Sequence, residues 1–270
     1  MSSRAAAVIS KEAPSQLRLR KSVTALTAAE VADLRSGFSG MVSVSDDRGF
    51  EHWAGIHGLP LPIYCQHTTP FFLPWHRAYL YYFEQYLLDQ EIGVSLPWWD
   101  WSAQLGVPDV YSETELQDGS RNPLSSSPVS GIPAAQFAKY KETAITETSR
   151  TPGLPIDLPS ADAVAKVLAL DTFSTFTGHL EQLHDQVHIW VGGTMREVPV
   201  AAYDPLFWAH HVMIDRLWAI WQQSHPGSEL GDGLTADTPI PPPFGLTVGQ
   251  VLSIASLGYE YALSSSSAIP

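Results

Sequence analysis

Ten histidines are spread over the 270 residues, and six of them fall at spacings that suit metal ligation. His184 and His188 stand four apart in LEQLHDQVHIWVGG, so on a helix both imidazoles leave one face with Cβ atoms about 5–6 Å apart. That separation lets two nitrogens reach one metal at about 2 Å. His211, in the neighbouring stretch DPLFWAHHVMIDRLW, is placed to complete a three-nitrogen set. In the first half, His67 precedes and His76 begins an aromatic helix, and His57 on the preceding segment is the natural third member. Three plus three imidazoles, with no thiolate or carboxylate among the expected ligands, suit a metal that favours nitrogen, such as copper or zinc. For one such helix alone, a buried core whose histidines merely find hydrogen bonds is the better reading; the two matching sets together argue against it.

The segments that must position these groups read as helices. Thr27 and Glu30 form a capping box for a helix over 22–41, and a turn then leads into a short helical segment ending at His57. Pro60 and Pro62 force an extended loop through Cys65 to Pro70. A helix opening at Pro74-Trp75 is apolar on most faces, the mark of a central, buried helix. Helices are also expected over 160–170 and 172–190, the second stopped by Gly192-Gly193. The last long helix opens with Asp204 as cap and Pro205 in its first position and runs to Ser224. Asp215 falls one turn after His211, where a carboxylate can fix the orientation of a ligating imidazole. His210 points about 100° away around that helix and is expected to be a satisfied core histidine. His52, His179 and His225 are expected at the surface or behind the ligands. The fold class expected is mainly α: a four-helix bundle core holding a dinuclear metal site, with long irregular loops and few short strands. Residues 1–21 read as an N-terminal arm, 22–262 as the catalytic domain and 263–270 as a tail, with 103–160 a Pro-, Ser- and Gly-rich surface excursion.

Composition narrows the partners. The formal charge of −13 argues against nucleic acid and against an anionic membrane. No apolar run approaches the roughly 20 residues of a membrane span. A single cysteine, Cys65, allows no intrachain disulfide. The first residues lack a signal-type apolar region, so a cytoplasmic protein is expected. Oligomeric state is not legible. The nine Trp, ten Tyr and ten Phe cluster around the histidines.

Together, HG-x(6)-CQH-x(8)-HRAYLYYFE, LEQLHDQVHIWVGG and YDPLFWAHHVMIDRLW resemble the two metal motifs of the type-3 copper family: tyrosinases, catechol oxidases and molluscan haemocyanins. Arg20-Lys21 and Tyr259-x-Tyr261 resemble that family's N-terminal arginine region and closing tyrosine motif, so the likeness spans nearly the whole chain. The resemblance implies that His57, His67 and His76 hold a first copper ion and His184, His188 and His211 a second, with O2 as co-substrate. It implies a thioether cross-link between Cys65 and His67; a buried, inert thiol is the alternative. It places Phe207 beside the metals, Ile189 and Met213 at the entrance, and Glu181 and Asp185 as catalytic groups acting on a water near the site.

The activity implied is that of a tyrosinase, hydroxylating small monophenols to o-diphenols and oxidising o-diphenols to o-quinones. Glu181 favours the hydroxylation; Asp185, where many tyrosinases carry Asn, leaves open a catechol or o-aminophenol oxidase without it. A haemocyanin-like oxygen carrier is a further alternative. The chain ends soon after Tyr261, so the β-rich covering domain of the molluscan carriers is not expected. HDQVH resembles the zinc-hydrolase motif H-E-x-x-H, but Asp replaces the general-base Glu and the first-half histidines would go unexplained.

Overall fold

The computed structural model describes residues 16–140 and 143–262. Strand β1 (Arg18–Arg20) is followed by helices α1 (Ala28–Val42), α2 (Phe50–His57) and α3 (Phe72–Leu88), then by two short helices, α4 (Asp109–Ser112) and α5 (Ala134–Lys139). Helices α6 (Ala161–Leu168), α7 (Phe173–Val191) and α8 (Pro205–Ser224) complete the main helical set, before α9 (Val248–Val251) and strand β2 (Tyr259–Tyr261). The described chain is thus mainly helical, as the sequence periodicity predicts. Helices α2, α3, α7 and α8 carry five of the six candidate ligands, and His67 stands on the loop between α2 and α3.

Local chemistry accounts for the boundaries. Thr27 and Glu30 make the expected capping box of α1, while Ser160 and Thr172 cap α6 and α7. The Asp204 carboxylate accepts from the Leu206 N–H at 2.8 Å, and Pro205 opens α8 without wasting a donor. Helix α3 begins two residues before the expected Pro74; a proline in the first turn is tolerated because that N–H has no intrahelical partner.

Aromatic burial welds the helices that hold the histidines. Phe83 of α3 and Trp208 of α8 lie face to face with ring centroids 3.4 Å apart. Tyr79 packs on Trp208 at 4.9 Å and donates its hydroxyl to the Trp53 carbonyl of α2. Truncating a buried ring of this size costs about 3–5 kcal/mol.

Two expectations need correction. Residues 18–21, assigned to the N-terminal arm rather than to the catalytic domain, belong to the packed structure: β1 pairs in parallel with β2, Arg18 opposite Tyr259, and Arg20 is fully buried. The rest of the proposed arm through residue 15, and the tail 263–270, lie outside the described residues. The excursion 103–160 is also not merely superficial. It sends Tyr111, Leu124, Val129 and Phe137 into the core, and Arg150 reaches from it to grip the Asp204 carboxylate with Nε and Nη2 at 2.6–3.0 Å. Its Pro/Ser/Gly content hid these few anchors. No helix among the described residues is long and apolar enough to cross a membrane.

Candidate metal centre

Helix α7 turns Leu180, Leu183, Val187 and Val191 into the core, and the same face carries His184 and His188. Helix α8 brings His211 against them. The Nε2 atom of His211 lies 3.2 Å from that of His184 and 3.3 Å from that of His188. Three nitrogens at about 2.0–2.1 Å from a tetrahedral ion would stand about 3.3 Å apart, so the spacing fits a shared metal.

Proton counting reaches the same conclusion. The Nδ1–H of His188 donates to the Met195 carbonyl at 2.7 Å, and the Nδ1–H of His184 to Asp185 Oδ1 at 3.0 Å. Each therefore presents a lone pair at Nε2. His211 has at most one proton to offer two such neighbours. A cation at their meeting point satisfies all three.

The first set is built alike. His76 donates Nδ1–H to the Phe72 carbonyl at 2.7 Å, leaving Nε2 buried without a partner. Both ring nitrogens of His57 are buried. The rings of His57, His67 and His76 form a nearly equilateral triangle, with centroids 5.3–5.6 Å apart. The two sets abut: nitrogens of His57, His76 and His211 fall within 4.8 Å of one another. Unsatisfied buried nitrogens are costly in a protein interior, and a nitrogen-preferring metal pair fits this donor set.

Burial, reinforced by the neighbouring rings, keeps His57, His76, His184 and His211 well below the usual histidine range. Burial likewise lowers His67 and His188 to about 4. All six are neutral at pH 7, the form that ligates. His67 is the exception in exposure: it is half-buried while the other five are buried, so the centre opens on its side.

The remaining expected residues fall in several places. Phe207 is fully buried between the two sets, its ring 4.0 Å from that of His211 and 4.8 Å from that of His57. Ile189 is 56% exposed. Met213, expected beside it, is completely buried; two residues past His211 the helix has turned it into the core. The Cys65 thiol lies within 4.8 Å of ring nitrogens of His57 and His67, and burial pushes it up to about 12. Glu181 is buried and accepts the Thr68 N–H at 2.6 Å. Burial, then the nearby Asp185, pushes its carboxyl up to about 7.

Asp215 does not meet His211, whose Nδ1 has no partner. Its carboxylate is taken by Arg77 Nε at 2.5 Å, Tyr261 Oη at 2.5 Å, Tyr259 Oη at 2.6 Å and Arg20 Nη1 at 3.3 Å. The spacing rule places the two side chains on one face but is silent on stronger competitors from other elements. Arg20 in turn makes a two-point bond to Glu84 at 2.9–3.0 Å and stacks 3.7 Å over Tyr259. Arg77 and Glu84 were not singled out from sequence, although two charges inside a helix apolar on most faces are a signal that a buried partner exists. His210 is in the core as expected, its ring nearly parallel to that of His184 at 5.1 Å. His52 and His179 are exposed, and His225 is stacked on Trp221.

Comparison with known proteins points to one family. The sequence profile of the common central domain of tyrosinase matches residues 47–224. A tyrosinase of Streptomyces glaucescens is 35% identical over 181 residues, covering 60% of this chain and 66% of the relative. A haemocyanin β-C chain unit of Helix pomatia is 31% identical over 223 residues, covering 76% of this chain and 51% of the relative. Among solved structures, a recombinant mushroom tyrosinase superimposes with a TM-score of 0.79 at 22% identity, over 92% of this chain and 62% of that one. An octopus haemocyanin functional unit gives 0.74 at 27% identity, over 90% and 68%. The chain thus spans just under two thirds of the Streptomyces relative.

Proposed function

The chain belongs to the tyrosinase family, and we propose that it is a dicopper oxidase that hydroxylates small monophenols to o-diphenols and oxidises o-diphenols to o-quinones with O2. The observation that carries this reading is the convergence of three Nε2 atoms of His184, His188 and His211 within 3.2–3.3 Å on paired contacts, beside a second triangle of imidazoles. His57, His67 and His76 are the proposed ligands of one copper and His184, His188 and His211 those of the other. When bound, the copper pair supplies the activation and reduction of dioxygen.

The protein's own residues do the rest. Backbone carbonyls of Phe72 and Met195 fix the tautomers of His76 and His188, and Asp185 fixes that of His184. Phe207 closes the floor between the sets. Ile189 flanks the open side, where a phenol ring enters. A monophenol must lose its hydroxyl proton to react as a phenolate. Glu181, pushed up to about 7, is suited to accept that proton near neutrality, directly or through a water. Asp185 adds negative charge that opposes a phenolate, so its influence falls on the monophenol step. Cys65 is proposed to bond through sulfur to the His67 ring, which would pin the one ligand that no helix holds. Residues 22–262 are proposed to work as one catalytic domain, completed by Arg20 from β1.

The hydroxylating reading is tested by oxygen uptake with a monophenol. Oxidation confined to o-diphenols or o-aminophenols favours the narrower oxidase, and reversible oxygen binding without either favours a carrier.

A further inference from the structure

We propose that Arg150 is a positioning residue for one metal of the pair. With the chain on either side of it, it clamps the ends of α7 and α8, so that an ion on His184, His188 and His211 and the docking of the excursion 103–160 stabilise each other; the inference rests on the copper reading above.

The clamp has a backbone half. Residues 149–153 run beside the end of α7 and the turn that follows it. Thr151 and Gly153 donate their N–H groups to the carbonyls of Val191 and Trp190 at 2.9 Å, and the Ser149 carbonyl accepts the Thr194 N–H at 2.8 Å. The hydroxyls of Thr194 and Thr151 return the contact, accepting from the N–H of Ser149 at 2.9 Å and of Gly193 at 3.1 Å. A Cβ at Gly193 would collide with the Ser149 carbonyl, so the glycine that follows α7 also admits the excursion. One residue past Thr194, the Met195 carbonyl holds Nδ1 of His188.

Arg150 supplies the other half. Its Nε and Nη2 fork onto Asp204, and its Nη1 and Nη2 also donate to the carbonyls of Tyr111 and Leu124. The same carboxylate caps α8 at Leu206, about two turns before His211. One side chain thus joins the excursion to the start of the helix that carries His211, while its neighbours hold the turn that orients His188. Among the described residues, the hydrogen bonds of 149–153 go to these elements and none to α2 or α3, so the effect falls on one metal and not on both. Binding that favours the docked arrangement is strengthened by it in the same measure.

The test counts copper ions per chain by native mass spectrometry as chelator is added to the copper-loaded protein, and follows amide exchange alongside. Arg150→Lys keeps the charge but cannot fork, and Asp204→Asn keeps a capping side chain but not the ion pair. Each variant should lose one ion at a chelator concentration about tenfold lower than wild type and hold the other as wild type does, with protection lost from α7 and α8 and kept in α2 and α3. Copper should slow exchange at Thr151 and Gly153 in wild type and fail to do so in His211→Ala. Leu34→Ala, a core truncation in α1, should lower the urea midpoint without separating the loss of the two ions. Loss of both ions together or at the wild-type chelator concentration in Arg150→Lys and Asp204→Asn overturns the clamp, as does exchange at Thr151 and Gly153 indifferent to copper. Wild-type protein that never holds two ions overturns the dicopper reading, and the clamp with it.

Discussion

Arg77 and Asp215 meet at 2.5 Å in the core, one residue beyond His76 on α3 and four beyond His211 on α8. The pair therefore ties together helices that serve different halves of the metal centre. Both side chains are buried, and Arg77 is stacked 3.6 Å over Trp218. Breaking one partner of such a pair leaves an uncompensated buried charge, worth about 3–5 kcal/mol. Asp215→Ala should lower unfolding free energy by that amount in urea titration and loosen copper in both halves of the centre. A loss below about 1 kcal/mol, the scale of a surface pair, contradicts this role.

His211→Ala should remove the second metal: copper content after dialysis falls toward one per chain and oxidation is abolished. His210→Ala should retain both ions, because the three-way convergence of Nε2 atoms belongs to His211. The reverse pattern means that the wrong member of the adjacent pair has been assigned.

Cys65→Ser addresses the cross-link. A peptide spanning residues 65–67 from the copper-treated wild type should be lighter by a pair of hydrogens than its unmodified mass, and the variant should lack that shift. Wild-type peptide of unmodified mass ends the thioether proposal.

The buried histidines make the metal-free chain acid-sensitive. In the unfolded chain these rings take up protons below about 6.5, whereas in the fold His67 and His188 resist until about 4. The unfolded state thus binds more protons in this window, and stability, full above pH 6.5, falls as pH drops toward 4. Urea midpoints of the metal-free protein should decline across that range. A flat profile shows that the imidazoles are not held neutral by burial.

Glu181→Gln should depress monophenol turnover while o-diphenol turnover stays within a few-fold, since only the former needs a proton acceptor. Asp185→Asn should raise the monophenol-to-diphenol ratio with copper content unchanged. Equal effects on both substrates in both variants remove these carboxyls from the proton-transfer step.

Much of this was legible in the sequence because it rests on local rules. The i,i+4 pair His184/His188, the capped start of α8 and the capping box of α1 each depend on neighbours along the chain. What the sequence did not disclose depends on partners far away in it. Asp215 lost its expected imidazole to two arginines and two tyrosines from other elements, and Arg20 proved fully buried through a strand formed by the two ends of the described chain. Met213 was misplaced because position next to a ligand was read as exposure, when the helix turns about 200° in two residues. The anchoring of 103–160 by Arg150 on Asp204 had no periodic signal at all.

The most direct test of the central claim is initial oxygen uptake by protein carrying two copper ions, given L-tyrosine with a trace of L-DOPA as primer, beside L-DOPA alone. The account predicts uptake with L-tyrosine beyond what the primer can consume. Uptake with L-DOPA only contradicts the hydroxylation step and leaves a diphenol oxidase; no uptake with either contradicts the phenol-oxidase reading altogether.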